Sequence, residues 1–235
     1  MPNITSCCEP CGAAARSLAS RIDHTCLKPE ATEADIRQLC AEARRHGFAA
    51  VCVNPVYVRL ARECLSGSRV KVCSVVGFPF GAQPSASKAF EARRAVRDGA
   101  DEIDMVIHVG ALKSKAYESV RKDIREVREA AEGKILKVIV EAALLTKEEL
   151  VRASIYARDA GADFVKTGTG FAPRGVSLED VRIIRETVGP HIKIKAAGGI
   201  KSRSQAEGLI AAGADRLGAS SSVDIVAHGG GGEHG

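Results

Sequence analysis

A three-residue phrase, Gly-Ala-Asp, recurs along this 235-residue chain and orders its secondary structure. The copies begin at Gly99, Gly161 and Gly213, each after a helical pattern and before a short apolar run typical of a strand. Because glycine suits the left-handed residue that ends a helix, each copy predicts a helix-to-strand turn. The copies start 62 and 52 residues apart, which is about two strand–helix units of roughly 25–30 residues each.

Eight strands are predicted between segments of helical periodicity. They cover residues 21–26, 48–53, 70–76, 102–107, 134–141, 163–167, 192–197 and 215–218. The helical segments include 84–98, 117–132, 146–160, 177–188 and 202–212, and the predicted helix N-caps are Thr32, Thr146, Ser177 and Ser202. This alternation predicts an α/β fold, a closed (β/α)8 TIM barrel. The alternative, a doubly wound open sheet, is disfavoured because no dominant glycine-rich turn follows the first strand.

Three regions are expected along the chain. Residues 1–20 are interpreted as a short N-terminal extension, residues 21–228 as the barrel, and residues 229–235 as a glycine-rich, disordered tail.

Composition excludes several classes of protein. A net charge of +5 is too small to indicate nucleic-acid binding, and the absence of Trp argues against base-stacking surfaces. No apolar run of about 18 residues and no signal-peptide pattern is present, so no membrane association is expected and the predicted location is cytoplasmic.

All eight cysteines lie in the first 73 residues, which argues against a disulfide framework for the whole fold. Asn, Gln and Met are scarce, as in proteins of thermophiles, where intracellular disulfides also occur. The early cysteines are therefore candidates either for stabilising disulfides or for buried packing.

Lys166 is the strongest candidate for catalysis, because it stands near the end of a short apolar strand. Active sites of such barrels form at the carboxyl ends of the strands. Burial favours the neutral amine, which is a nucleophile toward carbonyl groups. A salt-bridged or snorkelling lysine is the alternative, but the following Thr167-Gly168-Thr169-Gly170 supplies hydroxyl and backbone N–H groups beside the amine.

Two further charged residues are predicted to enter the barrel near Lys166. Lys195 lies on the next strand and, as a nearby cation, favours neutral Lys166; the alternative is a solvated rim lysine. Asp104 is expected to be an ion-pair partner, a proton shuttle or both. Glu141, at the end of the fifth strand, is a weaker candidate of the same kind.

Two loops suit a phosphate group. Gly198-Gly199 follows the seventh strand, and Gly218-Ala219-Ser220-Ser221 follows the eighth. Loops at these two positions form the recurrent phosphate site of TIM barrels.

No metal site is predicted. Cys7-Cys8-Glu9-Pro10-Cys11 contains a C-x-x-C pair, but no second pair follows at zinc spacing, and the six histidines form no metal motif.

Taken together, these segments resemble the deoxyribose-phosphate aldolases, a family of Schiff-base (class I) aldolases. The resemblance covers about residues 20–225. It rests on Ile22-Asp23-His24-Thr25, Val51-Cys52-Val53-Asn54-Pro55, Val76-Gly77-Phe78-Pro79-Phe80-Gly81, Asp101-Glu102-Ile103-Asp104, Val165 to Gly170, Lys195 to Ile200 and Gly218 to Ser221.

The resemblance implies a role for each matching residue. Lys166 matches the Schiff-base lysine, Lys195 the lysine that lowers its pKa, and Asp104 the carboxylate that relays protons through water. The implied phosphate residues are Gly198, Gly199, Gly218, Ser220 and Ser221, and the implied lining of the substrate cavity is Asp23, Thr25, Cys52 and Thr169.

The implied reaction is the reversible cleavage of 2-deoxy-D-ribose 5-phosphate to D-glyceraldehyde 3-phosphate and acetaldehyde. The resemblance also implies a role in deoxyribose catabolism. The covalent iminium makes a metal unnecessary, and no cofactor is expected. The expected partner is a phosphorylated sugar, and a homo-oligomer is anticipated. A barrel aldolase for another phosphorylated sugar, or a non-catalytic sugar-phosphate-binding barrel, remains an alternative.

This chain departs from the family at three points. Gly168 stands where Ser or Thr is common, and Phe171 replaces a lysine that helps to hold phosphate in some members. Phosphate binding is then expected to rest on Lys201 or Arg174. No tyrosine follows Tyr156, so the C-terminal tyrosine that some members use in proton transfer is absent or replaced.

Overall fold

Strands and helices alternate along the whole of residues 18–227, the part of the chain that the computed structural model describes. The strands are β1 (Ile22–Cys26), β2 (Ala50–Val53), β3 (Lys71–Val76), β4 (Glu102–Val106), β5 (Ile135–Ile139), β6 (Phe164–Lys166), β7 (Lys193–Ala197) and β8 (Arg216–Ala219). The helices are α1 (Glu33–His46), α2 (Val58–Cys64), α3 (Ser85–Arg97), α4 (Val109–Lys113), α5 (Tyr117–Ala130), α6 (Lys147–Asp159), α7 (Leu178–Val188), α8 (Arg203–Ala211) and α9 (Ser222–Ala227), with 3₁₀ turns at Pro55–Tyr57 and Ala142–Leu144.

The strands close into a parallel barrel in the order β1 to β8, and β8 pairs with β1. This confirms the predicted TIM barrel and excludes the open sheet. All eight predicted strands match observed ones within two residues at either end, because each strand is a short segment rich in apolar residues and bounded by turn residues.

All four predicted N-caps are confirmed. Thr32, Thr146, Ser177 and Ser202 each accept a hydrogen bond from the backbone N–H three residues on, and in every case the side chain of that third residue binds the cap in return. Each capping box satisfies two N–H groups that a helix start otherwise leaves unpaired.

Two different environments lie on the two faces of the strands. In β4, Ile103 and Met105 face outward and belong to the apolar core between the strands and the helices. Glu102 and Asp104 alternate with them and face the barrel interior, where they form ion pairs. The fold is therefore held together by an apolar outer layer that surrounds a charged interior.

The ends of the chain fall mostly outside the described residues. Leu18 and Ala19, at the end of the predicted extension, are buried in the apolar core. Residues 1–17 of that extension and the predicted tail lie outside residues 18–227, and Cys7, Cys8 and Cys11 are among them. None of the helices in the described part of the chain has the length and apolar character needed to cross a membrane.

The described cysteines do not support the disulfide hypothesis. Five of the eight cysteines lie in the described region, and all five are free thiols: Cys26, Cys40, Cys52, Cys64 and Cys73. Cys40, Cys52 and Cys73 are buried, so buried packing describes these three.

Gly81 closes the loop after β3 against the end of β4. Its φ of 65° is left-handed, and a Cβ at this position would lie 2.0 Å from the carbonyl oxygen of Ile107. Gly133 has a similar φ of 78°, but a Cβ there would meet nothing within 4 Å.

We expect Gly81→Ala to lower the free energy of unfolding by about 3 kcal/mol, because backbone strain and a steric clash add. Gly133→Ala, which carries the strain alone, should cost about 1 kcal/mol. Urea denaturation of the two variants measures both values. Equal losses would contradict the close contact at Gly81.

Candidate active site

The three predicted catalytic residues meet inside the barrel. Lys166 ends β6 and pairs in register with Lys195 of β7. The Nζ atoms of Lys166 and Lys195 lie 2.9 and 2.8 Å from Oδ2 of Asp104, which comes from β4. Lys166 is 2% exposed and the other two side chains are fully buried. The structure thus brings together residues that are up to 91 positions apart in the chain.

These residues belong to a larger group that we call the charged cluster. Its members are Asp23, Glu102, Asp104, Lys137, Lys166, Lys195 and Arg216. The cluster contains three carboxylates and four cationic side chains. It occupies much of the barrel interior, beside a small apolar cluster that includes Ala50, Cys52, Cys73 and Val75. In most TIM barrels the interior holds branched apolar side chains.

Asp104 is at the centre of the charged cluster. Its Oδ2 atom serves Lys166 and Lys195, while its Oδ1 atom accepts hydrogen bonds from Lys137 at 2.9 Å and from the Cys73 thiol at 3.1 Å. Burial by itself raises the pKa of this carboxyl, but the neighbouring lysine ammonium groups outweigh burial and hold the pKa well below its usual range. Asp104 is therefore ionised in the resting protein.

Lys195 is held between two carboxylates. Its Nζ lies 2.5 Å from Oδ2 of Asp23 and 2.8 Å from Oδ2 of Asp104. Burial alone would lower the pKa of this amine, but the two carboxylates outweigh burial and raise the pKa above its ordinary value. Lys195 is thus a fixed cation beside Lys166, rather than a solvated rim lysine.

The sequence analysis assigned no role to four residues of this site. Three of them belong to the charged cluster, namely Lys137, Glu102 and Arg216, and the fourth, Cys73, contacts Asp104. Lys137 lies 2.5 Å from Oε2 of Glu102 and 2.9 Å from Oδ1 of Asp104. Arg216 lies 2.6 Å from Oδ1 of Asp23. A signal was present for Lys137, since it is a charged residue inside the apolar run of β5, as Lys166 is in β6.

One group of potential metal ligands occurs among the described residues. The Sγ atoms of Cys52 and Cys73 and a carboxylate oxygen of Asp104 lie within 4.8 Å of one another. The ammonium of Lys137 already contacts the Cys73 Sγ at 3.4 Å and Asp104 at 2.9 Å. A metal cation at this position would meet the positive charge of Lys137, so the donor set does not favour one.

A cavity of about 840 Å³ opens above the charged cluster at the carboxyl ends of the strands. Lys166 lies in its wall. The other predicted site residues in the wall are Thr25, Thr169, Gly198, Gly199, Gly218, Ser220 and Ser221. The other four predicted site residues lie below the wall. Asp104 and Lys195 are in the charged cluster, Asp23 holds Lys195 and Arg216 inside the barrel, and Cys52 is fully buried beside Cys73.

The two expected substitutes for the lysine at position 171 differ in their surroundings. Arg174 is committed elsewhere, since its guanidinium donates to both carboxylate oxygens of Asp180, at 2.6 and 2.9 Å, and to the carbonyl of Ala142. Arg174 is thus held by partners within the protein and lies outside the lining of the cavity, so the structure lends its expected role no support. Lys201 lines the cavity next to the Gly198–Gly199 loop. Phe171 itself packs edge-to-face on Phe78, with ring centroids 5.4 Å apart.

Glu141 does not join the charged cluster. Its carboxylate accepts hydrogen bonds from the backbone N–H and the hydroxyl of Thr169. The interpretation of Glu141 as a proton shuttle of the same kind as Asp104 is therefore wrong.

We expect Asp104→Asn to lower the free energy of unfolding by about 3–5 kcal/mol, because it leaves buried cations without their partner. Asp159→Asn removes a half-exposed carboxylate that pairs with Arg158 and should cost less than about 1 kcal/mol. Chemical denaturation at neutral pH measures both. Similar losses in the two variants would contradict the central role of Asp104.

The stability difference between the unaltered protein and Asp104→Asn should also depend on pH. Because the folded-state pKa of Asp104 is lowered, its stabilisation is present above the unfolded-state pKa of about 3.9 and is lost as pH falls toward the folded-state pKa. The difference in unfolding free energy between the unaltered protein and Asp104→Asn should be constant from about pH 5 to 8 and shrink below about pH 4. A difference that grew in acid would have the wrong sign.

Comparisons with known proteins agree with this geometry. Residues 18–226 match the sequence profile of the DeoC/LacD family aldolases. A deoxyribose-phosphate aldolase of Clostridium novyi (strain NT) is 56% identical over 211 residues, which cover 89% of this chain and 95% of the relative. A tetrameric deoxyribose phosphate aldolase structure from Aeropyrum pernix superimposes with a TM-score of 0.85 at 37% identity and covers 91% of both chains. This chain belongs to the DeoC/LacD family of aldolases.

Proposed function

We propose that this protein reversibly cleaves 2-deoxy-D-ribose 5-phosphate to D-glyceraldehyde 3-phosphate and acetaldehyde through a Schiff base on Lys166. The observation that carries the proposal is the position of the Lys166 amine, which lies in the wall of the cavity and contacts Asp104. The name of the Clostridium novyi relative supports the choice of substrate.

The charge count in the cluster supports Lys166 as the nucleophile. Four cations face three carboxylates, so one cation is in excess. Lys195 contacts two carboxylates within 2.8 Å, and Lys137 contacts two within 2.9 Å. Lys166 contacts one, through an oxygen that it shares with Lys195. Of the three lysines, Lys166 therefore has the fewest close carboxylate partners, and it is the one that faces the cavity, as a nucleophile must.

In the proposed reaction, the neutral Lys166 amine attacks C1 of the substrate, one proton from solvent joins the C1 oxygen, water leaves, and a protonated iminium forms. Asp104, through a water molecule, takes the proton of the C3 hydroxyl as the C2–C3 bond breaks. The bonding electrons move to the nitrogen, which gives a neutral enamine. Asp104 then loses one of its positive neighbours and becomes more basic as the proton arrives. Protonation of the enamine at C2 and hydrolysis release acetaldehyde and restore Lys166.

The phosphate is proposed to lie against the loops after β7 and β8. Gly198, Gly199 and Gly218 bring backbone groups to the cavity, and the Ser220 and Ser221 hydroxyls add donors. Lys201, on the same side of the cavity, is proposed to supply the cation. Thr25 and Thr169 in the wall, with Asp23 and Cys52 below it, complete the proposed substrate site.

We also propose an oligomeric state, a cellular location and a biological role. A homo-oligomer is supported by the tetramer of the Aeropyrum pernix relative. A cytoplasmic location is supported by the free thiols of the five described cysteines, because thiols persist in reducing compartments. A thermophilic source and a role in deoxyribose catabolism are proposed from composition and from the reaction. Residues 21–228 are proposed to form the catalytic unit.

We expect borohydride reduction in the presence of acetaldehyde and a chelator to leave an ethyl group on Lys166, located by peptide mass mapping. Lys166→Ala should give no adduct and no cleavage, because the nucleophile is missing. Lys193→Ala is the matched control, since Lys193 is an exposed lysine at the first position of β7, the strand next to that of Lys166. Cleavage by Lys166→Ala, or an adduct on another lysine, would refute the assignment.

We expect Lys201→Gln to raise the KM for 2-deoxy-D-ribose 5-phosphate about tenfold, because one charge-assisted hydrogen bond to phosphate is lost. Lys71→Gln, an exposed lysine at the opposite end of the barrel, should leave the KM unchanged. Steady-state kinetics distinguish the two. An unchanged KM in Lys201→Gln would place the phosphate elsewhere.

A further inference from the structure

Glu141 is a buried carboxylate that the proposed reaction does not use. It is 5% exposed and has a left-handed backbone, with φ 57° and ψ 59°, which is uncommon for a residue other than glycine. The residue follows β5 and turns the chain so that its side chain reaches the loop after β6. A strained and buried charged residue is kept only when the surrounding structure holds it in place.

The Glu141 carboxylate holds Thr169 by two of its groups. The backbone N–H of Thr169 donates to Oε1 at 3.1 Å, and its hydroxyl donates to Oε2 at 2.5 Å. The same hydroxyl oxygen accepts a hydrogen bond from the backbone N–H of Phe171 at 3.1 Å. One carboxylate therefore orders the segment from Thr169 to Phe171.

The absence of a side chain at Gly168 leaves room for the Glu141 carboxylate. A Cβ added at Gly168 would lie 2.7 Å from Oε1 of Glu141, which is closer than two such atoms approach each other. Any side chain at this position must displace the carboxylate. The glycine that departs from the family pattern is thus directly coupled to Glu141.

The ordered segment lies against the proposed phosphate loop. A Cβ added at Gly198 would lie 3.5 Å from Cα of Gly170, in van der Waals contact, so the loops after β6 and β7 run side by side with no room for more than one side-chain atom between them. The Gly198 carbonyl also accepts a hydrogen bond from the N–H of Val176, which follows in the β6–α7 connection. The position of Gly198 therefore depends on the position of the Thr169–Phe171 segment.

We propose that Glu141 is a positioning residue for phosphate recognition: through Thr169 it sets the place of Gly170 and, by contact, of the Gly198–Gly199 loop. Glu141 acts on the phosphate end of the substrate and leaves the Schiff-base chemistry at Lys166 unaltered. This inference rests on the proposed function.

The first test compares a phosphorylated with an unphosphorylated substrate. In Glu141→Gln the side chain loses its charge and keeps one acceptor oxygen for the two Thr169 donors, so at least one charge-assisted hydrogen bond is lost. The KM for 2-deoxy-D-ribose 5-phosphate should rise about tenfold. The kcat/KM for unphosphorylated 2-deoxyribose should stay within about twofold, and trapping by acetaldehyde and borohydride should be undiminished. Glu129→Gln, an exposed residue of α5, is the matched control and should change none of these.

The second test is a double-mutant cycle between Glu141 and Gly168. Gly168→Ala should raise the same KM about tenfold, because its methyl group displaces the carboxylate. In a Glu141→Ala background, where no carboxylate remains to displace, the added methyl group should change the KM by less than about twofold.

The outcomes separate this inference from the proposed function. Equal losses with both substrates, or additive effects of the two substitutions, in an otherwise active enzyme would overturn the role of Glu141 alone. An unaltered protein that neither cleaves the substrate nor forms the Lys166 adduct would overturn both. A KM effect confined to the phosphorylated substrate, with a non-additive cycle, would support the inference.

Discussion

The carboxylate of Asp104 is the contact on which the interior of this barrel depends. Lysines from β5, β6 and β7 all direct their ammonium groups to its two oxygens, at 2.8 to 2.9 Å. Without it, Lys166 would have no carboxylate partner among the described residues, and Lys137 and Lys195 would each keep one close partner, Glu102 and Asp23, so the buried positive charges would repel more strongly. The same contact that makes the interior possible also places the reactive amine of Lys166.

A charged interior needs stability from elsewhere. Burying ions costs free energy, and ion pairing offsets that cost only in part. In this protein the compensation comes from the outer layer, where the outward faces of the strands pack against the helices in one continuous apolar core. The division lets the barrel interior be used for chemistry while the fold relies on residues that never meet the substrate.

The side chains of the loop after β6 are largely engaged in contacts within the protein. Phe171 packs on Phe78 where some family members have a phosphate-binding lysine, and Arg174 is bound to Asp180. In the proposed site, Lys201 therefore supplies the positive charge for the phosphate and backbone N–H groups supply most of the other contacts. A phosphate site built on backbone groups depends on how firmly the neighbouring loops are held, which is the role proposed for the buried carboxylate of Glu141.

Much of the fold and part of the site could be predicted because their signals are local. The strands are apolar runs, the four capped helices begin with capping boxes, and Lys166, Lys195 and Asp104 are charged residues inside apolar strands. Lys137 carries the same signal and was not assigned, because a strand pattern states which face a side chain takes but not which partner it meets there. The two departures from expectation, Arg174 and Glu141, both lie in connections after strands.

The sequence by itself determined the order of the strands, the closure into eight units and the residue types that enter the barrel. Those properties follow from periodicity and from turn residues, which act over a few positions. The tertiary structure alone decided that Asp104 serves three lysines, that Arg174 is committed to Asp180, and that Glu141 turns to Thr169. The contacts of Asp104 and Glu141 depend on strand register and on side-chain directions in space, because they join groups on different strands and connections. Arg174 and Asp180 are only six positions apart, but the turn of the chain between them decides that they meet.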